Sequence, residues 1–165
     1  MKINDIISIL MPNIEEQEKK DFIITQKIMN KIFNTYGATV EMTQTKQYSA
    51  YDAKMTVTKN HKHKYTVEIK ERNVDSIEEM ETLPLKVKKY CSIMEKTKED
   101  ETPLAIYLVN NDEYFIFNLK DLDLNKLILK NWFIAKKQFT EKRQFEEQPT
   151  FFIPISFSIY NGKIN

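Results

Sequence analysis

The sequence predicts an α/β fold in which a mixed central sheet is flanked by helices. Residues 14–36 carry apolar side chains at helical spacing, and residues 37–72 contain three runs with the alternation of strands. Helical spacing returns at residues 86–96, and two strongly apolar runs follow on either side of an Asn-Asn-Asp turn. The predicted order is therefore α-β-β-β-α-β, with an extra helix and strand toward the C-terminus. With 165 residues, the chain fits a single domain over residues 1–165.

The first helix is predicted to begin at a capping motif. Asn13 and Glu16 have the spacing of an N-cap residue and the third residue of a helix, and the helical pattern continues to residue 36. Glu15, Glu18 and Phe22 lie on one side of it, at i, i+3 and i+7. Acidic residues also stabilise a helix N-terminus through its dipole, so both glutamates have a structural explanation beside any functional one.

Three strands are predicted at residues 37–44, 51–58 and 65–72. In the third, Val67 and Ile69 are expected to face the core, and Glu68 and Lys70 the opposite face, because successive side chains alternate. That face is either half-solvated or presents the two side chains together for chemistry. The polar turn "KNHKHK" joins the second strand to the third. Antiparallel pairing through this turn places Asp52, near the start of the second strand, beside Glu68 and Lys70 on one face.

The remaining elements are predicted from their apolar patterns. Residues 73–84 indicate a loop, residues 103–119 a hairpin, residues 124–137 a short helix and "FFIPISFSI" a last strand. Two copies of the chain could pair through that last strand, which would make a homodimer. The second helix is expected to face the core with a stripe formed by Val87, Tyr90, Cys91 and Met94.

Composition excludes several classes of function. Two glycines leave no glycine-rich phosphate loop or dinucleotide fingerprint. The single cysteine, Cys91, excludes an internal disulfide and suits a reducing compartment. The apolar stretch at the N-terminus is too short for a membrane span, so we expect a cytoplasmic protein, in a bacterial or phage-infected cell, with no membrane partner.

Asp52, Glu68 and Lys70 form the candidate catalytic set. Two neighbouring carboxylates repel each other unless they share a cation, and hard carboxylate oxygens are the ligands that Mg²⁺ and Mn²⁺ prefer. A lysine beside such an ion could orient or deprotonate an attacking water and stabilise the charge that develops on a phosphate. The same pattern also fits the solvated face of a strand, because a lysine-rich and glutamate-rich chain contains Glu-x-Lys triplets by chance.

The element order, with Asp52 on the second strand and "EIK" at residues 68–70 on the third, resembles the PD-(D/E)XK nuclease superfamily. The resemblance covers residues 14–109, and the later "LPLKVKKYCSIMEKTKEDETPLAIYLVNNDEYFIFNL" looks like the second helix and hairpin of small phage or mobile-element endonucleases. Tyr51 stands where the family name records proline. The resemblance implies a restriction-endonuclease-like core and a Mg²⁺ or Mn²⁺ site formed by Asp52, Glu68, the carbonyl of Ile69 and a helix-one glutamate, Glu18 or Glu15. It also implies that Lys70 acts on the water.

A nuclease of this kind would bind nucleic acid, and DNA is the expected partner. Net charge is only +1, but residues 46–72 carry seven Lys or Arg against three acidic residues, and residues 126–143 carry six against one. The alternative is a catalytically silent nuclease-like fold that binds protein or nucleic acid as an accessory factor. The candidate phosphate contacts are Lys54, Lys59, His61, Lys62, His63, Lys64, Arg72, Lys86 and Lys88.

Overall fold

Two α-helices, three short 3-10 helices and two sheets lie within residues 14–46, 49–135 and 145–165, the part of the chain that the computed structural model describes. Helix α1 spans Ile14–Thr35 and helix α2 spans Val87–Lys96. Neither described helix is both long and apolar enough to cross a membrane. The strands are β1 (Thr39–Gln44), β2 (Ala53–Thr58), β3 (Lys62–Arg72), β4 (Thr82–Lys86), β5 (Glu101–Val109), β6 (Glu113–Asn118), β7 (Ile128–Ala135), β8 (Phe145–Pro154) and β9 (Tyr160–Lys163).

The central sheet has the order β1-β2-β3-β5-β6-β9 and is mixed. β1, β2 and β3 form an antiparallel meander, and β3 pairs in parallel with β5. A parallel pair needs a crossover, and residues 73–100 supply it, including β4 and α2. β4 joins β8 and β7 in a separate antiparallel sheet with the order β4-β8-β7.

Helix α1 packs on one face of the central sheet because its apolar side chains recur every three or four residues. Ile28 and Met29 are buried there against Met55, Val67 and Ile106 of the sheet. The predicted helix over residues 14–36 is therefore confirmed, as are the three-stranded meander and the apolar hairpin.

Helix α2 and the small sheet cover the opposite face. Ile93 of α2, Leu83 of β4 and Ile153 of β8 are buried against Tyr107 and Phe117 of the central sheet. Strands β3 and β5 are thus covered on both faces, as is usual for strands that pair in parallel. The alternative interpretation, a solvated strand face, is wrong for Glu68, because its side chain is 0% exposed.

The hairpin between β5 and β6 turns at Asn110 and Asn111, which both have positive φ, 53° and 54°. Asparagine tolerates this left-handed conformation, and such a turn matches the twist of the two strands. The Asn110 amide also exchanges two hydrogen bonds with the backbone of Val74, at 2.7 and 2.9 Å. The turn therefore fixes the start of the crossover beside the end of β3.

Two sequence predictions about later elements are wrong. Residues 82–84, the end of the predicted loop, belong to strand β4 (Thr82–Lys86), because this segment pairs with β8 about 70 residues later. Ile128–Ala135 was expected in a helix but is a strand, since its Ile, Trp and Phe side chains suit the pairing with β8. Residues 136 and 137 of that predicted helix lie outside the described residues.

Two smaller expectations also fail. Cys91 is exposed rather than in the core, because the buried residue beside Tyr90 and Met94 is Ile93. The segment "FFIPISFSI" begins in β8, where Phe151 and Phe152 are already paired on both sides by β4 and β7, so this stretch cannot offer a free edge to a second copy. The homodimer itself stays a prediction.

Candidate active site

A cleft of about 560 Å³ opens at the end of the meander, between the N-terminal half of α1 and the start of α2. Its walls come from the loop before β2, the second half of β3, the end of β4 and both helices. Both acidic and basic side chains line it, and Glu68 contacts two of the lysines. The acidic lining residues are Glu15, Glu18, Asp21, Asp52 and Glu68, and the basic ones are Lys46, Lys70, Arg72, Lys86 and Lys89.

Asp52 is held against β3 by two hydrogen bonds. Its backbone N–H donates to the carbonyl of Val67 at 2.9 Å, and its Oδ2 accepts from the N–H of Ile69 at 2.7 Å. The sequence predicted Asp52 inside the second strand, but Asp52 lies in the bend just before β2. The bend brings the carboxylate to the position that a further β2 residue would occupy beside Glu68.

Glu68 is a buried carboxylate whose polar atoms are poorly satisfied. Its side chain is 0% exposed, and neither oxygen accepts a well-directed hydrogen bond within the described structure. Oε1 forms ion pairs with the ammonium groups of Lys70 and, at 3.2 Å, Lys89, whereas Oε2 has no described partner. A buried carboxylate oxygen without a partner is costly, and native proteins keep such atoms chiefly at functional sites.

The electrostatics of Glu68 are a balance between burial and two cations. Burial raises the pKa of Glu68 above its usual range, the Lys70 ammonium opposes this, the Asp52 carboxylate adds to it and Lys89 opposes it again. The resulting pKa is raised, so desolvation outweighs the ion pairs. A carboxyl group inside a cleft whose pKa is raised by burial and by a second carboxylate is typical of catalytic and ligand-binding sites.

Helix α1 contributes an acidic wall in which Asp21 is the most enclosed carboxylate. Glu15 and Glu18 are exposed, whereas Asp21 is half-buried and accepts a 2.9 Å hydrogen bond from Gln17. The same Gln17 amide donates to Glu71 at 3.0 Å. Burial and the Glu71 carboxylate raise the pKa of Asp21. Sequence reasoning favoured Glu18 over Glu15 and overlooked Asp21, although Asp21 follows Glu18 by one helical turn.

The residues at the head of the cleft can serve a hard divalent cation. Among the described residues, no three His, Cys, Asp or Glu side chains lie close enough together to form a metal site by themselves. The candidate set is therefore Asp52 and Glu68 with the carbonyl of Ile69, and Mg²⁺ commonly binds through one or two carboxylates, with water and phosphate at its other positions. The unpartnered Oε2 of buried Glu68 is the observation that fits this chemistry.

The predicted nucleic-acid contacts divide into two groups. Arg72 and Lys86 line the cleft, and Lys88 lies on the neighbouring surface of α2. Lys54 lies near the start of β2, opposite Thr66 of β3, and is not among the residues that line the cleft. The other contacts lie on or near the β2–β3 turn, at the far end of β3, and Lys62 is separated from Glu68 by roughly 20 Å of strand. That second group is Lys59, His61, Lys62, His63 and Lys64.

Two of the predicted nucleic-acid contacts already have acidic partners within the protein. Lys54 pairs with Glu101 at 3.1 Å, and Lys64 pairs with Asp100 at 2.7 Å. The structure therefore does not bring the β2–β3 turn to the catalytic candidates. Most of residues 126–143, the other basic segment, lies outside the cleft or outside the described residues.

Sequence reasoning also missed Lys89. It contacts Glu68 and donates to the carbonyl of Ala50 at 3.3 Å, so it links α2 to the loop that carries Asp52. Its position one helical turn after Lys86 was the available signal.

Comparisons of the chain with protein-family models, with curated proteins and with solved structures found no match. The function of the cleft is therefore inferred from its own residues and their geometry.

Proposed function

We propose that this protein is a Mg²⁺- or Mn²⁺-dependent nuclease of the PD-(D/E)XK type that hydrolyses phosphodiester bonds in DNA. The observation that carries the proposal is the convergence of Asp52, Glu68 and Lys70 in one cleft, with an unpartnered oxygen on the fully buried Glu68 carboxylate. The antiparallel meander followed by a crossover to a parallel strand supports the restriction-endonuclease-like arrangement that the sequence resembles.

Each residue has a role that follows from its position. Asp52 and Glu68, with the carbonyl of Ile69, would hold the cation, and the Asp21 carboxylate adds negative charge to the same cleft. When bound, the ion supplies Lewis-acid activation of the phosphate and lowers the pKa of the attacking water. Lys70 emerges next to Glu68 and is 24% exposed, so its ammonium can reach into the cleft, orient the water and stabilise the developing phosphoryl charge. Lys89 keeps the Glu68 carboxylate in place.

The substrate is recognised by shape rather than by sequence in this proposal. Lysines of the cleft and of α2 suit phosphate oxygens, which position a nucleic acid without reading its bases. The proposed substrates are therefore branched, flapped or otherwise distorted DNA, such as arises in phage or mobile-element DNA processing, recombination and repair.

A cleavage panel tests the proposal. Supercoiled plasmid, linear duplex, single strands, branched junctions and structured RNA are incubated with Mg²⁺ or Mn²⁺, and parallel reactions contain EDTA. We expect metal-dependent cutting that falls by at least about 100-fold in Lys70→Ala, in line with the loss of one acid–base or electrostatic group. Lys27→Ala, which removes an exposed lysine from the far half of α1, is the matched control and should retain full activity. Equal cutting by Lys70→Ala would refute the assigned role.

One observation favours the alternative, a catalytically silent accessory factor. Lys70 and Lys89 already form ion pairs with Glu68, and a fold without a metal ion needs such internal cations beside a buried carboxylate. Thermal unfolding with Mn²⁺ separates the two functions, because only a cation bound to the folded state raises the melting temperature. A Mn²⁺-induced rise that Asp52→Asn abolishes supports the nuclease, and no rise in the wild-type protein supports the silent binding protein.

A further inference from the structure

A second groove of about 730 Å³ continues from the cleft along the surface of α2. The two concavities share the loop before β2 and the start of α2, including Tyr51, Lys86 and Lys89, so a bound chain can pass from one to the other. The described residues of the turn between β2 and β3 are not among those that line the cleft.

The groove differs from the cleft in its charge. Its lining contains four lysines, Lys86, Lys88, Lys89 and Lys96, with hydroxyl and amide groups, and none of its described lining residues is Asp or Glu. Lys88 is exposed and has no ion pair with a described residue, and Lys96 has only a loose 3.8 Å pair with exposed Glu95. The ammonium groups of Lys88 and Lys96 are therefore available to an anionic ligand.

The opposite side of the cleft carries the reverse charge. Glu15, Glu18 and Asp21 of α1 line it, with Glu71 linked to Asp21 through Gln17. A polyanion that enters the cleft is repelled by this side and attracted by α2, and both interactions act within a Debye length of about 8 Å at physiological salt.

We infer that a nucleic-acid strand leaves the cleft along α2, with its phosphates held by Lys88 and Lys96, and that the acidic side of α1 prevents the opposite path. Lys89 and Lys96 are seven residues apart on one helix face, which spans about 10 Å. A strand with a rise of about 3.4 Å per nucleotide therefore places roughly three nucleotides along the groove. The inference rests on the proposed function, since it names the path of that function's substrate.

Binding without cleavage tests the path. Fluorescence anisotropy in EDTA follows labelled oligonucleotides of about 12 nucleotides, as single-stranded DNA, duplex DNA and RNA, between about 50 and 200 mM salt. Lys88→Gln with Lys96→Gln removes two groove charges from exposed positions. Lys27→Gln with Lys31→Gln is the matched control, because it removes two exposed lysines from α1, beyond the part that lines the cleft.

We expect the groove variant to lose about 1.4–1.8 from the slope of log affinity against log salt and to bind roughly 25- to 60-fold more weakly at about 0.1 M salt. The control should keep wild-type affinity. An unchanged groove variant, or equal losses in both double variants, would overturn the path. Failure of the wild-type protein to bind any oligonucleotide, with binding of a labelled poly-glutamate peptide instead, would overturn it in favour of an acidic protein partner.

The outcome is separable from that of the nuclease proposal. Glu68→Gln removes a proposed metal ligand but no groove charge, so it should abolish cleavage while binding in EDTA persists. Groove-dependent binding without metal-dependent cutting by the wild-type protein would leave the path standing and refute the nuclease. Metal-dependent cutting that is unchanged in Lys88→Gln with Lys96→Gln, together with unchanged binding, would support the nuclease and refute the path.

Discussion

Replacing Lys89 by methionine measures how far the buried Glu68 carboxylate depends on a cation from the second helix. The Lys89 Nζ lies 3.2 Å from Glu68 Oε1. At an effective dielectric constant of about 20, two unit charges at this separation attract by about 5 kcal/mol. Lys70 remains as a second partner of Glu68. The Lys89 side chain is 28% exposed, and its replacement also removes the desolvation cost of its partly buried ammonium group, which offsets part of the lost attraction. We therefore expect a net loss of about 1–3 kcal/mol in the free energy of unfolding.

The double-mutant cycle with Glu68→Gln isolates this interaction. In the Glu68→Gln background no buried charge is left unpaired, so Lys89→Met should cost less than about 0.5 kcal/mol. Urea unfolding followed by far-UV circular dichroism at neutral pH gives the four free energies. Lys88→Met, at the exposed neighbouring position, is the control and should change stability by no more than about 0.5 kcal/mol in either background.

Acid should weaken the coupling, since protonation of Glu68 removes the charge that Lys89 contacts. An equal cost of Lys89→Met in both backgrounds would refute the assignment of Lys89 to the buried carboxylate. It would assign the residue instead to its hydrogen bond with the Ala50 carbonyl.

Three further predictions concern the same region. Because the pKa of Glu68 is raised by folding, the folded state holds this proton more tightly, and stability is lost as pH rises from the unfolded pKa, about 4.3, through the folded pKa. Thermal melts should therefore show Glu68→Gln to be more stable than wild type at neutral pH, by about 1 kcal/mol or 2–4 °C. Below a pH of about 4 this difference should disappear. A difference in melting temperature that stays the same at all pH values would contradict the pKa shift. At about 100 times its dissociation constant, Mn²⁺ should stabilise the wild type by about 2.7 kcal/mol, with Asp52→Asn removing the effect and exposed Asp75→Asn retaining it. Tyr107→Phe removes the buried 2.9 Å hydrogen bond from Tyr107 to the carbonyl of Pro84 and should cost about 1 kcal/mol in urea unfolding; no cost would mean that the carbonyl finds another donor.

Local periodicity was sufficient for the elements whose partners are close in sequence. The apolar repeat of α1, the alternation in β2 and β3, and the turn at Asn110 each reflect the packing that the structure shows. Asp52, Glu68 and Lys70 were brought together correctly because a short turn joins the two strands that carry them. These contacts depend only on strand register and side-chain alternation.

The remaining features depend on contacts between distant segments. β4 is a strand only because β8 pairs with it, and Glu68 is buried only because α2 and the small sheet cover its face. Helical spacing places Lys89 near Lys86 and Asp21 near Glu18, but it does not show that Lys89 contacts Glu68 or that Asp21 is half-buried. The exposure of Cys91 shows a smaller ambiguity, because residues on the two flanks of a helical stripe differ by only part of a turn.

The pairing of β4 with β8 also sets the order in which the active site becomes complete during protein synthesis. Glu68 leaves the ribosome roughly 85 residues before the end of β8, which at translation rates of about 5–20 residues per second corresponds to about 4–17 s. During this interval the strand that anchors β4, and through it the start of α2, has not yet been made. A nascent chain therefore contains Glu68 before the helix that carries Lys89 is anchored over it. The complete cleft forms only when the C-terminal strands pair with β4.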